Sequence, residues 1–144
     1  MDGYTGRLYE EEFFGVCAGR ARGYMTWRES MAFAKEFQPK GWNPSEPNTK
    51  MANNLHARVC MAIEERICED LDWEKVKLFS AIGTPLDWYH GIDAWFEFEG
   101  TVVTIDLTVD QNKQSGKANL VIHPGEDELP NLIRHIAMRL LGAA

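Results

Sequence analysis

Residues 91 to 110 read GIDAWFEFEGTVVTIDLTVD, two runs of alternating aromatic and β-branched residues that meet at Glu99-Gly100. A period of two is the signature of a strand, and a two-residue connection with glycine second closes a tight hairpin. With the turn at Glu99-Gly100, Phe98 lies opposite Thr101 and, counting outward, Asp93 lies opposite Asp106. Alternation then gathers Ile92, Ala94, Phe96 and Phe98 with Val103, Ile105 and Leu107 on one face, the core face. The other face carries Asp93, Trp95, Glu97, Val102, Thr104, Asp106 and Thr108. Directly opposed residues have Cβ atoms about 4.5–5.5 Å apart, and like charges there are destabilising. Asp93 and Asp106 therefore call for compensation. Three kinds fit: a hard divalent cation such as Mg²⁺, a raised carboxyl pKa, or a basic neighbour such as Lys77 or Lys113.

The flanking sequence predicts helices around this hairpin. Thr26-Trp27-Arg28-Glu29 has the form of a capping box and is followed by Met31, Ala32, Phe33, Ala34 and Phe37, which predicts a helix from about 27 to 37. The first 25 residues, with the basic GRARG segment, read as irregular or short helical structure, and PKGWNPSEPNTK with its three prolines reads as a loop. Ala52, Leu55, Val59, Ile63, Ile67 and Leu71 recur at spacings of three and four, an amphipathic helix from about 50 to 71 with Glu64 beside its apolar stripe. Val76 to Ile82 reads as a strand ending at Gly83-Thr84-Pro85, and Ala118 to His123 as another. A final helix, 127–142, takes Asp127 as its cap and Pro130 in its first turn. The expected fold is α+β: a mixed central sheet of about four strands with an antiparallel hairpin, flanked by helices.

A chain of 144 residues with five Trp, seven Phe and four Tyr has the apolar area for one core. The expectation is one domain, 1–144, with an N-terminal helical and loop extension (1–48), a core (50–125) and the C-terminal helix. Three cysteines without metal-ligand spacing argue against a disulfide framework or a structural zinc. No apolar run approaches the roughly 20 residues of a membrane span, and MDGYTGRLYEEE lacks the basic and apolar segments of a signal peptide. The expectation is a cytoplasmic protein with no membrane partner. Twenty-two acidic against 15 basic residues, a formal net charge of -7, argue against nucleic-acid binding by bulk charge but not against an enzyme whose carboxylates hold metal.

Gly91-Ile92-Asp93, followed after the hairpin by Val103-Thr104-Ile105-Asp106-Leu107-Thr108 and then by lysines, resembles the PD-(D/E)XK nuclease superfamily over roughly residues 50 to 125. The resemblance implies a restriction-endonuclease-like sheet and metal-dependent hydrolysis of phosphodiester bonds, as an endo- or exonuclease on DNA or RNA. It makes Asp93 and Asp106 ligands of Mg²⁺ (or Mn²⁺) and Glu64 an auxiliary acid supplied from its helix. Thr108 stands where the family pattern puts lysine, which implies a lysine from elsewhere. Lys113 is the first candidate, with Lys117 and Lys77 behind it, and the Thr108 hydroxyl is left to hold a water or a ligand carboxylate. The proline expected just before the first aspartate is missing.

Arg20, Arg22 and Lys117, with Arg28 and Lys40, are the candidate contacts to a nucleic-acid backbone, and Trp95, Trp42, Trp88 and Tyr89 the candidate stacking platforms. His90, near the same sheet edge, is a candidate for assisting proton transfer. The expected partners are nucleic acid, DNA before RNA, and a second copy of the chain, because a chain this small has little surface to hold a duplex. Two other classes stay open. One is a catalytically inactive nuclease-like binding or inhibitor protein whose acidic surface imitates nucleic acid. The other is a small interaction protein whose apolar hairpin face completes an oligomer.

Overall fold

Glu99 and Gly100 both adopt positive φ, 49° and 83°, the combination of the tight hairpin turn whose twist matches its strands. The turn sets the predicted register: Phe98 pairs with Thr101, Trp95 with Thr104 and Ala94 with Ile105. The computed structural model describes residues 6–107, 118, 120–122 and 129–142, and every structural statement below concerns those residues. The hairpin strands are β2 (Ala94–Phe98) and β3 (Thr101–Leu107). β1 (Lys77–Ser80) pairs antiparallel with β2, and β4 (Leu120–Ile122) pairs parallel with β3, so the sheet order is β1-β2-β3-β4. The fold is α+β, a mixed four-stranded sheet with an antiparallel hairpin and flanking helices.

Three helices cover one sheet face: α1 (Gly6–Phe14), α3 (Lys50–Ile67) and α5 (Leu129–Leu140). Between them and the sheet lies the main core, in which Phe14, Ile63, Phe96, Ile105, Leu107 and Ile136 are almost fully buried. Tyr9, Phe13 and Trp42 belong to the same cluster, so α1 and the loop that holds Trp42 supply part of this core. The second face is covered too. There α2 (Trp27–Glu36) and α4 (Pro85–His90) enclose Phe79, Leu86, Ile92 and Trp95. Ile92, read by alternation onto the main-core face, packs in this second cluster because it precedes β2 and escapes the strand's period.

Caps explain two helix starts, and the one at Thr26 is the predicted one. Thr26 Oγ1 accepts from Glu29 N–H (3.3 Å) while Glu29 Oε1 accepts from Thr26 N–H (3.0 Å), a complete capping box. Thr49 caps α3 through Ala52 N–H (3.2 Å). That helix ends earlier than its apolar stripe predicts. Cys68 turns left-handed (φ 58°), and Leu71, whose N–H donates to Glu64 Oε2 (3.1 Å), returns to the core from beyond the helix. The helix α4 is absent from the sequence reading, yet Pro85 opens it and Gly91 (φ 70°) closes it as a left-handed cap. The cap expected at Asp127 lies outside the described residues. Among the described residues no helix is long and apolar enough to cross a membrane.

Glutamate is poorly suited to the left-handed conformation that Glu99 holds. Asn tolerates it, so Glu99→Asn should stabilise the fold by roughly 0.5–1 kcal/mol in chemical denaturation. An unchanged or lower stability would mean that the turn does not govern the hairpin.

Candidate functional site

Asp93 stands between the cap of α4 and the start of β2. Its backbone is held on both sides, with its N–H donating to Ile105 O (2.9 Å) and its carbonyl accepting from Ala81 N–H (2.8 Å). The side chain is 2% exposed, and its Oδ2 accepts from Leu107 N–H (2.7 Å). Asp106, 7% exposed on β3, is hydrogen-bonded to the Asp93 carboxyl, so the two aspartates predicted to oppose each other do meet.

Two further carboxylates converge from outside the hairpin. Glu10 comes from α1 and Asp87 from α4, and one oxygen each of Glu10, Asp87 and Asp93 lie within 4.8 Å of one another. Asp87 Oδ2 accepts from Gly83 N–H (2.9 Å), and Arg7 Nη1 bridges Asp87 (3.1 Å) and Glu10 (3.3 Å) from the solvent side. Burial pushes the Asp93 carboxyl up to about 10, reinforced by the charges of Glu10 and Asp87 and then by its hydrogen bond and repulsion with Asp106. Two carboxyl groups can hydrogen-bond to each other only through a proton, so the Asp93–Asp106 pair holds one between them. Of the three predicted forms of compensation, a raised carboxyl pKa fits the Asp93–Asp106 pair, while Arg7 pairs with Glu10 and Asp87 instead, Lys77 is turned to Ser45, and Lys113 lies outside the described residues.

The donor set also suits the third form. Three carboxylate oxygens are hard ligands of the kind that bind Mg²⁺ or Mn²⁺. One oxygen from each of the three carboxylates lies within 4.8 Å of the other two.

The other predicted site residues divide. Glu64 is not part of the group: its Oε2 accepts from Leu71 N–H and from Trp73 Nε1–H (both 3.1 Å), which ties off the end of α3. Glu10 is the acid that a helix delivers. Trp95 is fully buried, stacked on Phe79 (centroids 5.0 Å apart) with Nε1 donating to Glu97 Oε2 (2.7 Å), so it is a core residue and not a platform for bases. The reason is that α2 and α4 cover its sheet face. Trp42 is likewise buried, donating to Leu78 O (2.9 Å). Lys77 Nζ is engaged with Ser45 Oγ (2.8 Å), and His90 Nε2 with Met25 O (2.9 Å). Arg20 and Arg22 are exposed before α2, while Thr108, Lys113 and Lys117 lie outside the described residues.

The sequence assigns no site role to Glu10, Arg7 or Asp87, the last entering only as part of Pro85-Leu86-Asp87 upstream of Asp93. Glu10 carried a signal, because it lies one helical turn before the fully buried Phe14 and so sits over an apolar stripe. Comparison of the chain with protein-family models, with curated proteins and with solved structures returned no match.

A carboxyl that binds its proton more tightly folded than unfolded stabilises the protein fully below the unfolded pKa, near 4, and loses that contribution as pH rises toward the folded value. Asparagine keeps the acceptor for Leu107 N–H and carries no proton to lose. In chelator, Asp93→Asn should match the parent at pH 5 and exceed it by about 1 kcal/mol or more at pH 9. Parallel urea-denaturation profiles across that range would contradict the protonated Asp93.

Proposed function

We propose that this chain hydrolyses phosphodiester bonds with the help of a divalent cation, Mg²⁺ or Mn²⁺. The observation that carries the reading is the convergence of Glu10, Asp87 and Asp93, one carboxylate oxygen of each within 4.8 Å of the others, beside the Asp93–Asp106 pair. Glu10, Asp87 and Asp93 would hold the cation, with Asp106 holding Asp93 in place by its hydrogen bond. When bound, such a cation polarises the phosphate and lowers the pKa of the attacking water.

The chain's own residues supply the rest. Arg7 stands between the carboxylates and a surface hollow of about 420 Å³ that it lines with Arg20 and Trp88. Its guanidinium, and that of Arg20, can pair with phosphate oxygens and fix the diester beside the carboxylates. Leu107 N–H and Gly83 N–H each hold one carboxylate oxygen, of Asp93 and Asp87, and so fix the orientation of both groups. Lys113 and Thr108, from the resemblance to PD-(D/E)XK nucleases, are proposed to orient the water and neutralise charge. The sheet supports this reading: an antiparallel hairpin with acids at adjacent strand ends, followed by a parallel fourth strand.

Incubation with plasmid and single-stranded DNA should give cleavage that needs Mg²⁺ or Mn²⁺ and stops in chelator. Asp93→Ala, Glu10→Ala and Asp87→Ala should each lower the rate about a hundredfold or more, a loss of about 2.7 kcal/mol of transition-state stabilisation, and Glu64→Ala should leave it within about threefold. Cleavage that survives chelator, or is indifferent to Asp93 and Glu10, would overturn the assignment. Binding without any cleavage would move the protein to the inactive nuclease-like class.

A further inference from the structure

Outside the carboxylates, exposed aromatic rings concentrate on one surface. Trp88 is 66% exposed and Tyr24 68%, and Trp27 and Tyr89 are also exposed. Single exposed aromatics are ordinary, but Tyr24, Trp27 and Tyr89 are joined through ring contacts, and Trp88 adjoins Tyr89 in α4. Tyr24 meets Tyr89 edge-on (5.5 Å) and packs on His90 (5.8 Å), while Trp27 meets His90 edge-on (5.7 Å). The backing is firm. Ala21 N–H donates to Gly83 O (3.0 Å), Cys17 N–H to Ile82 O (3.1 Å), and His90 is bonded to Met25 O.

Cationic side chains border the same surface. Arg7 lies over the Trp88 ring (5.9 Å), and Arg20 lines both the hollow beside Trp88 and a larger one, about 730 Å³, that continues along Arg22 and Met25. The patch also abuts the carboxylates in sequence and in space, because α4 supplies Asp87 inward and Trp88 and Tyr89 outward.

We infer that this aromatic and arginine surface binds single-stranded nucleic acid, with unpaired bases stacked on Trp88 and Tyr24 and the backbone running along Arg7, Arg20 and Arg22 into the carboxylate group. The inference rests on the hydrolytic reading above and names its substrate class. Charge decides between strand forms. A formal net charge of -7 opposes a duplex held by many phosphate contacts, and three arginines replace few of them. Stacking supplies affinity without charge, and it requires bases whose faces are free, which paired bases do not offer. Ring faces flanked by guanidinium groups suit that ligand better than they suit an apolar protein partner.

The test uses the full-length chain carrying Asp93→Asn in chelator, so that binding is read without cleavage. A dye-labelled oligo-dT of about 15 nucleotides should bind at least about tenfold more tightly than a blunt duplex of the same length, and should quench tryptophan fluorescence. Trp88→Ala should weaken single-strand binding about tenfold and Trp88→Phe should recover most of it, while Met61→Ala on α3 changes nothing. Arg20→Ala with Arg22→Ala should reduce the slope of log affinity against log salt by about 1.4. Equal affinity for both strand forms, indifference to Trp88, or Trp88-dependent self-association without oligonucleotide binding would each overturn the inference. Metal-dependent cleavage with no strand preference overturns it and spares the hydrolytic reading. Strand-selective, Trp88-dependent binding by a chain that never cleaves spares the stacking surface and removes the hydrolytic reading.

Discussion

The register between β2 and β3 is the constraint on which the molecule depends. A slip of one residue would turn Phe96, Phe98, Val103 and Ile105 out of the main core and drive Trp95 and Asp106 into it. Glu99 and Gly100 hold that register through two consecutive positive φ angles, a conformation glutamate adopts reluctantly. What fixes the turn against this local strain is the two-sided burial of the hairpin: helices lie on both faces, and both clusters are satisfied in one alignment only. The same alignment brings Asp93 against Asp106.

That encounter is costly, and the surroundings show how the cost is managed. Burial and three acidic neighbours favour the neutral form of Asp93, and the proton it keeps converts a repulsion into a hydrogen bond. Arg7, reaching from the first turn of α1, takes up charge on Glu10 and Asp87. Packing alone would be served as well by apolar side chains at these positions, since a buried ionic cluster is weak evidence for stability. Hard oxygen donors placed together by α1, α4 and the segment before β2 are what leads us to propose a cation there.

Much of this was legible in the sequence where signals were local. The capping box at Thr26 and Glu29, the period of α3, and the alternation and turn of the hairpin all led to the observed elements, and alternation with the turn led to the meeting of Asp93 and Asp106. Readings failed where the deciding contact is distant. Trp95 alternates like a surface residue, and only the packing of α2 and α4 buries it. Glu64 and Glu10 both sit beside apolar stripes. Which of them reaches the sheet end depends on helix packing, and the chain uses Glu64 instead to tie off α3 through Leu71 and Trp73. The helix α4 was spelled out by Thr84, Pro85 and Gly91, but at six residues it is too short for periodicity to reveal.

The central claim is that Asp93, Glu10 and Asp87 form a site for one divalent cation. Calorimetric titration of the full-length chain with Mn²⁺ at neutral pH tests it without reference to any substrate. The account predicts saturable binding of one ion per chain with release of a proton, abolished in Asp93→Asn and in Glu10→Gln and retained in Glu64→Gln. Absence of saturable binding, or binding that persists unchanged in Asp93→Asn and Glu10→Gln, would contradict it.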